Sequence, residues 1–377
     1  MEESVVTRLG NNPGQKIRAA VLRNRGGPLK IESLVLETPR EDEVLVRVIA
    51  SGICHTDIAF VDEWYDGGDP LVLGHEGAGV VERVGKSVLN VCPGDHVILS
   101  FASCDRCREC RAGRPAHCRS FYEANFGFGR LDGSNALQAS DVRGHFFGQS
   151  SFATHLLATE RNLVMVSKEL PLALLAPLGC GLQTGAGTVL NSLAVPKGAS
   201  FAVFGSGAVG LAAIMAARIS GAHPIIVVDI VPHRLELALE LGATHTIDNR
   251  GGDLLSRIAG ITGSGIDYLV ETTGVAEMEE MAVKVLNRHG TAAFVATATG
   301  RGALPGGRKA IGVIQGDAVP HRFIPRLLEL YRAGVFPFDR LVKFYDFAEI
   351  NRAMDDARSG KTIKPVLRIG ECRGHTD

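Results

Sequence analysis

A chain of 377 residues exceeds what one ordinary hydrophobic core organises, so two domains are expected and a small peptide scaffold is excluded. Its 40 Lys and Arg and 41 Asp and Glu nearly cancel, to a formal net charge of -1, and are interspersed, which argues against nucleic acid or an acidic membrane as partner. The first ten residues are acidic and polar, no apolar run reaches membrane-spanning length, and the eight cysteines come without an export signal, so a soluble cytoplasmic protein with reduced thiols is expected.

Residues 1–180 carry short β-type runs broken by Gly, Pro and Asp, with strands expected at 43–49, 79–84 and 96–99. From residue 201 the texture changes to apolar strands alternating with helical periodicity. A strand is expected at 201–204, a helix ending at 220, a strand at 225–229, a helix from 232 and a strand at 244–248. That order is a βαβαβ unit. Strands at 268–271 and 292–296 continue the series, a helix is expected at 324–333, and the charged segment after 369 reads as a loosely ordered tail.

Cys104, Cys107, Cys110 and Cys118 follow the spacing C-x2-C-x2-C-x7-C, which lets four thiolates meet one tetrahedral Zn²⁺, with an iron–sulfur centre, a disulfide or unmetallated thiols in a basic loop as the alternatives. A site with four protein ligands has no open position, so it holds a loop together and does no chemistry. Its excess negative charge has candidate neutralisers in Arg106, Arg108, Arg111, Arg114 and Arg119.

Three further candidate ligands stand in Gly-rich surroundings: Cys54 in Gly-Ile-Cys-His-Thr-Asp, His75 in Gly-His-Glu-Gly, and Cys180 in Gly-Cys-Gly. Singly, each is more often ordinary core. Together they supply Cys2His, a set that leaves the fourth position of zinc to water or an alcohol. Two thiolates cancel the charge of Zn²⁺, so a bound alcohol can lose its proton and ready its carbon for hydride loss. Thr56 is the candidate acceptor of that proton, against a bland role as a turn hydroxyl. Asp57 and Glu76 are candidate outer carboxylates, one to orient His75 and one behind the metal, and either is equally well an exposed acid.

Gly205-Ser-Gly207-Ala-Val-Gly210 follows an apolar strand and opens an apolar helix, the context that a dinucleotide fingerprint requires. Asp229 ends the next strand nineteen residues after Gly210, where a carboxylate binds the adenosine ribose and repels a 2′-phosphate. NAD is therefore expected over NADP. Arg234 is a candidate for the same ribose, or a solvated helix residue.

These motifs, in this order, resemble the zinc-containing alcohol dehydrogenases of the medium-chain dehydrogenase/reductase superfamily along essentially the whole chain. Gly-Leu-Gln-Thr-Gly-Ala-Gly from 181 and Phe-Pro-Phe-Asp-Arg-Leu-Val-Lys-Phe-Tyr-Asp-Phe from 336 look most like aryl-alcohol and terpenoid-alcohol dehydrogenases. The resemblance implies an α/β protein with a mostly β part: a GroES-like catalytic domain over 1–181 and 315–377, and a Rossmann domain with a doubly wound parallel sheet over 182–314. It implies two zinc ions per chain, NAD, a small alcohol or aldehyde substrate and a homodimer or homotetramer. By matched position it implies Ser100, Phe146, Phe147 and Ile314 as pocket wall, and His55, Thr184, Val209 and Lys364 around the cofactor. One position departs from the family pattern. Many relatives end a proton relay with a histidine five residues after the first ligand cysteine, and Ala59 stands there, which leaves His55 or water to receive the proton. The expected activity is oxidation of primary aromatic or allylic alcohols. Glutathione-dependent formaldehyde oxidation, other alcohol oxidation, and a nucleotide-binding structural role are the alternatives.

Overall fold

A computed structural model describes residues 14–64, 68–138, 140–297 and 302–371. The acidic segment 1–10 and the tail positions from 372 on lie outside the described residues. Two large sheets dominate. One has seven strands in the spatial order His245–Asp248, Ile225–Asp229, Phe201–Phe204, Ile266–Glu271, Leu286–Phe294, Lys309–Gly312 and Gly302–Ala303, and only the last pairing is antiparallel. The helix Ala208–Ser220 follows the strand Phe201–Phe204, and Pro232–Leu241 follows Ile225–Asp229. Chain order reverses beside Phe201–Phe204, which makes the carboxyl end of that strand a topological switch point. Its side chains are wholly buried, as a two-sided parallel sheet demands.

The second sheet runs Val342–Asp346, Lys364–Arg368, Glu43–Gly52, Glu76–Val84, His96–Leu99 and Leu163–Val166, with His155–Thr159 also paired to Glu43–Gly52. It joins both ends of the chain. Val366 pairs with Gly52 on one side of the central strand, and Glu76 pairs with Gly52 on the other. A smaller sheet of Lys30–Leu36, Gln15–Leu22 and Leu71–Val72 packs through its own apolar cluster.

Element ends differ from expectation where tertiary pairing extends them. The strand expected at 43–49 continues to Gly52 because Ala50, Ser51 and Gly52 have partners on both sides. The helix expected from 324 starts at Pro320, a residue whose missing N–H costs nothing in a first helical turn. The strand expected at 292–296 is Leu286–Phe294, because Leu286 pairs with Ile266. Phe323, Ile324 and Leu327 of that helix share one core with Val203 and Leu211 of the parallel-sheet unit and with Ile98 and Val164 of the other sheet. Packing is therefore continuous across the expected boundary at 315. Among the described residues no single helix is long and apolar enough to cross a membrane.

Candidate metal centre and dinucleotide loop

Cys54 lies just past the central strand, His75 just before Glu76–Val84, and Cys180 at the start of the helix Gly181–Gly187. The Gly52–Glu76 register brings the first two together, and the ligand atoms of Cys54, His75, Glu76 and Cys180 all fall within 4.8 Å of one another. His75 is fully buried, and its Nδ1 lies 3.0 Å from Asp57 Oδ1. Asp57 is itself fixed by the amides of Cys54 and Gly74, at 2.9 and 3.1 Å. That geometry leaves Nε2 of His75 buried with no hydrogen-bond partner, although a polar atom in such a place is costly unless something binds it. The donor set fits zinc.

Without a metal, the hydrogen bond between the two sulfurs holds Cys54 well below the ordinary thiol range and Cys180 well above it. Burial works against a charged His75, but the Asp57 carboxylate, helped by the Cys54 sulfur, outweighs it and raises the imidazole to about 10. Ligation must displace these protons, so metal uptake is coupled to pH. Burial pushes the Glu76 carboxyl up. Lys364 Nζ opposes it from 2.9 and 3.0 Å, and Glu76 also accepts from the Gly181 amide at 3.2 Å. A Cβ at Gly52 would sit 2.1 Å from Glu76 Oε2, so the strand must be bare there.

The sulfurs of Cys104, Cys107, Cys110 and Cys118 also fall within 4.8 Å of one another, and the seven described cysteines are all free thiols. Backbone donors stabilise the cluster: Cys104 N lies 3.2 Å from Cys118 Sγ, and Arg119 N lies 3.5 Å from Cys107 Sγ. The Arg119 amide holds Cys107 down at about 6, while burial pushes Cys110 up to about 12. Arg114, expected to offset thiolate charge, instead pairs with Glu109 at 2.7 Å.

At the switch point, Gly205 has φ +89, and a Cβ there would meet Thr272 Oγ1 at 2.5 Å. A Cβ at Gly210 would lie 1.9 Å from the Gly205 carbonyl, whereas one at Gly207 would meet nothing within 4 Å. The loop is thus tight on its protein side and open at Gly207, where a pyrophosphate can approach the helix N-terminus. Asp229 accepts from Ser206 N and Oγ at 2.6 and 2.5 Å and from the amides of Ile230 and Val231 at 2.7 and 2.9 Å, which aims its carboxylate at this loop.

Phe147 stacks on His75 at 4.5 Å, and Phe146 meets the same ring edge-on at 5.4 Å; both rings, expected as pocket wall, are buried behind the half-buried Phe126 and Phe128. Phe60, Phe126 and Phe128 extend this wall, each in ring contact with Phe146.

Comparison with known proteins agrees with this geometry. Residues 40–168 match the alcohol dehydrogenase GroES-like domain, and residues 208–318 match the zinc-binding dehydrogenase family. A geraniol dehydrogenase from Castellaniella defragrans is 44% identical over 362 residues, covering 93% of this chain and 97% of its own. The chain belongs to the zinc-containing alcohol dehydrogenases of the medium-chain dehydrogenase/reductase superfamily. Two solved structures superpose with a TM-score of 0.90: an alcohol dehydrogenase zinc-binding domain protein from Burkholderia ambifaria, at 50% identity over 95% of this chain and all of that one, and a benzyl alcohol dehydrogenase from Acinetobacter calcoaceticus, at 45% over 94% and 100%. Zinc and a nicotinamide dinucleotide go with this family, and its catalytic and coenzyme halves correspond to the two large sheets.

The remaining residues of this alcohol dehydrogenase are distributed unevenly. Thr56 Oγ1 lies 3.8 Å from Cys54 Sγ, and His55 is exposed at the start of the short helix His55–Ala59. Ile314 is half-buried against the phenylalanine cluster. Ser100, expected as pocket wall, is fully buried and spends its hydroxyl on the Gly179 carbonyl at 2.7 Å. Lys364, expected near the cofactor, directs its ammonium to Glu76 and to the Ile53 carbonyl at 3.1 Å. Arg234, expected at the ribose, reaches the Gly360 carbonyl at 3.3 Å. Thr184 and Val209 sit where Gly181–Gly187 crosses Ala208–Ser220: a Cβ at Gly185 would lie 2.0 Å from the Val209 carbonyl. The Lys364–Glu76 pair and Phe60, Phe126 and Phe128 carry no local sequence signal, because each is assembled by contacts distant in sequence.

Proposed function

We propose that this enzyme oxidises primary aromatic or allylic alcohols, reversibly, to aldehydes with NAD as acceptor, at a zinc held by Cys54, His75 and Cys180. The observation that carries the reading is the placement of His75: one ring nitrogen is tied to Asp57, the other is free among the sulfurs, and the ring face lies on Phe147. A flat π-system bonded to the carbinol carbon can pack on the half-buried Phe126, Phe128 and Ile314, which lie over the buried Phe146 and Phe147, while its hydroxyl reaches the metal ligands, and such aromatic contacts add about 0.5–1.5 kcal/mol each beyond burial. The geraniol and benzyl alcohol dehydrogenases to which the chain is similar are named for two alcohols that share this feature.

A bound zinc supplies Lewis acidity, and the dinucleotide accepts the hydride. Asp57 fixes the tautomer of His75. Glu76, held by Lys364, gives the centre a carboxylate that does not swing away. Thr56 takes the proton of the alcohol, and with alanine at 59 the exposed His55 passes it to solvent. Asp229, pre-aimed by four donors, selects the unphosphorylated ribose. Cys104, Cys107, Cys110 and Cys118 hold a second, structural zinc, and the domains divide at 181/182 and 314/315. Zinc analysis with turnover tests this reading. The native protein should hold two zinc ions per chain and Cys180→Ala should hold one and produce no NADH; full turnover in Cys180→Ala would overturn the assignment.

A further inference from the structure

Four uncharged polar side chains beside the candidate centre form a buried chain that the mechanism above does not use. Ser100, Gln149, Gln183 and Gln315 are between 0 and 9% exposed. Gln149 Nε2 donates to the backbone carbonyls of His75 at 2.9 Å and Ser100 at 3.2 Å. Ser100 Oγ donates to Gly179 O at 2.7 Å, next to Cys180. Gln183 Nε2 donates to Ser100 Oγ at 2.7 Å and to Gln315 Oε1 at 3.0 Å. Gln315 Nε2 then lies 3.5 Å from Cys180 Sγ. These partners fix the direction of the amides, since a reversed Gln183 would face its oxygen onto the Gly179 carbonyl, 2.7 Å away.

The backbone gives a second, independent observation. Gln315, Gly316 and Asp317 all have left-handed φ, at +52, +64 and +49. Glycine adopts that region freely and glutamine at a cost, which the contacts of the Gln315 side chain with Gln183 and Cys180 help to offset. Gln183 adds another cost: its Oε1 is buried without a partner, while its nitrogen is committed toward Gln315.

We infer that Gln315, locked by Gln183 and Ser100, is a positioning residue that donates an amide hydrogen bond to the Cys180 thiolate and so sets the aim and donor strength of that metal ligand. An N–H donor on sulfur withdraws electron density and stops the side chain rotating away, as groups behind a ligand do generally. The inference rests on the reading that Cys54, His75 and Cys180 hold zinc.

The test compares the zinc-loaded native protein with Gln315→Leu, which removes the donor, and with Gln315→Glu, which sets a carboxylate against the thiolate. Release of each zinc to a chelator is followed, and the cobalt-loaded proteins are scanned for the thiolate-to-metal charge-transfer band. The expected result is loss of one of the two ions roughly 10-fold faster in Gln315→Leu and faster again in Gln315→Glu, within the 10–100-fold range of outer-shell substitutions. Retention of the four-cysteine ion at the native rate shows that each variant is folded. The cobalt band should move to longer wavelength in Gln315→Leu. Native release rates and an unmoved band in both variants would overturn the role of Gln315 while leaving the zinc reading intact. A native protein whose Cys180→Ala variant keeps the same zinc content would overturn the zinc reading, and this inference with it.

Discussion

Lys364 donates to both oxygens of Glu76, at 2.9 and 3.0 Å, and neither side chain is more than 3% exposed. Breaking a buried ion pair by removing one member leaves an uncompensated charge and typically costs about 3–5 kcal/mol. Lys364→Met should destabilise the protein by that amount in urea unfolding. Lys364→Met with Glu76→Gln should recover most of it, because no charge is then left buried alone.

The acceptor behind His75 should matter to the metal as well as to the loop it ties, since both Asp57 oxygens accept backbone amides. Asp57→Asn keeps the shape of the side chain but not its charge, and outer-shell changes of this kind lower metal affinity about 10–100-fold. Chelator competition should show that loss for one zinc, with the four-cysteine zinc unaffected.

Two glycines of the fingerprint should separate folding from binding. Gly210→Ala forces a Cβ to 1.9 Å from the Gly205 carbonyl, so both the melting temperature and NADH affinity should fall. Gly207→Ala meets nothing within 4 Å, so the melting temperature should hold while NADH affinity, read by fluorescence titration, drops. Equal losses of melting temperature would contradict this account of the loop.

Much of this was legible in the chain itself. The alternation of apolar strands and helices from 201 onward, punctuated by Gly205, Gly207 and Gly210, announces a parallel sheet and its ligand edge. The spacing of Cys104 to Cys118 announces a metal lobe, because four ligands lie within one local segment. What stayed hidden depends on register between distant strands. Lys364 reaches Glu76 only because the last strand pairs with Ala50, Ser51 and Gly52, and no local pattern encodes that pairing. Phe60, Phe126 and Phe128 carry no local signal, since ring contact across such separations leaves no periodic trace. Ser100 was matched by position and Arg234 by its distance from Asp229, and in the fold their hydrogen bonds run to Gly179 and Gly360.

His145 should make the protein acid-sensitive. Burial, reinforced by the positive charge of Arg130, lowers its imidazole to about 4, so the folded protein keeps it neutral. The unfolded chain takes up a proton near the ordinary value of about 6.5. Between these values the unfolded state binds more protons, so stability falls as pH falls, by up to about 1.4 kcal/mol per pH unit. His145→Asn suits the left-handed φ of +64 and should flatten that slope by about one proton, measured by urea unfolding between pH 4 and 6.5.

The phenylalanine wall should set the substrate. Phe126 contacts both Phe146 and Phe147, so Phe126→Ala should lower kcat/KM for benzyl alcohol about 10-fold while changing that for ethanol far less.

Initial rates of the zinc-loaded enzyme with benzyl alcohol, geraniol and ethanol, each with NAD and with NADP, decide both substrate class and coenzyme. The geometry of His75, Phe147 and Asp229 predicts higher kcat/KM for the two π-substituted alcohols than for ethanol, and for NAD than for NADP. Preference for ethanol, or for NADP, would contradict it.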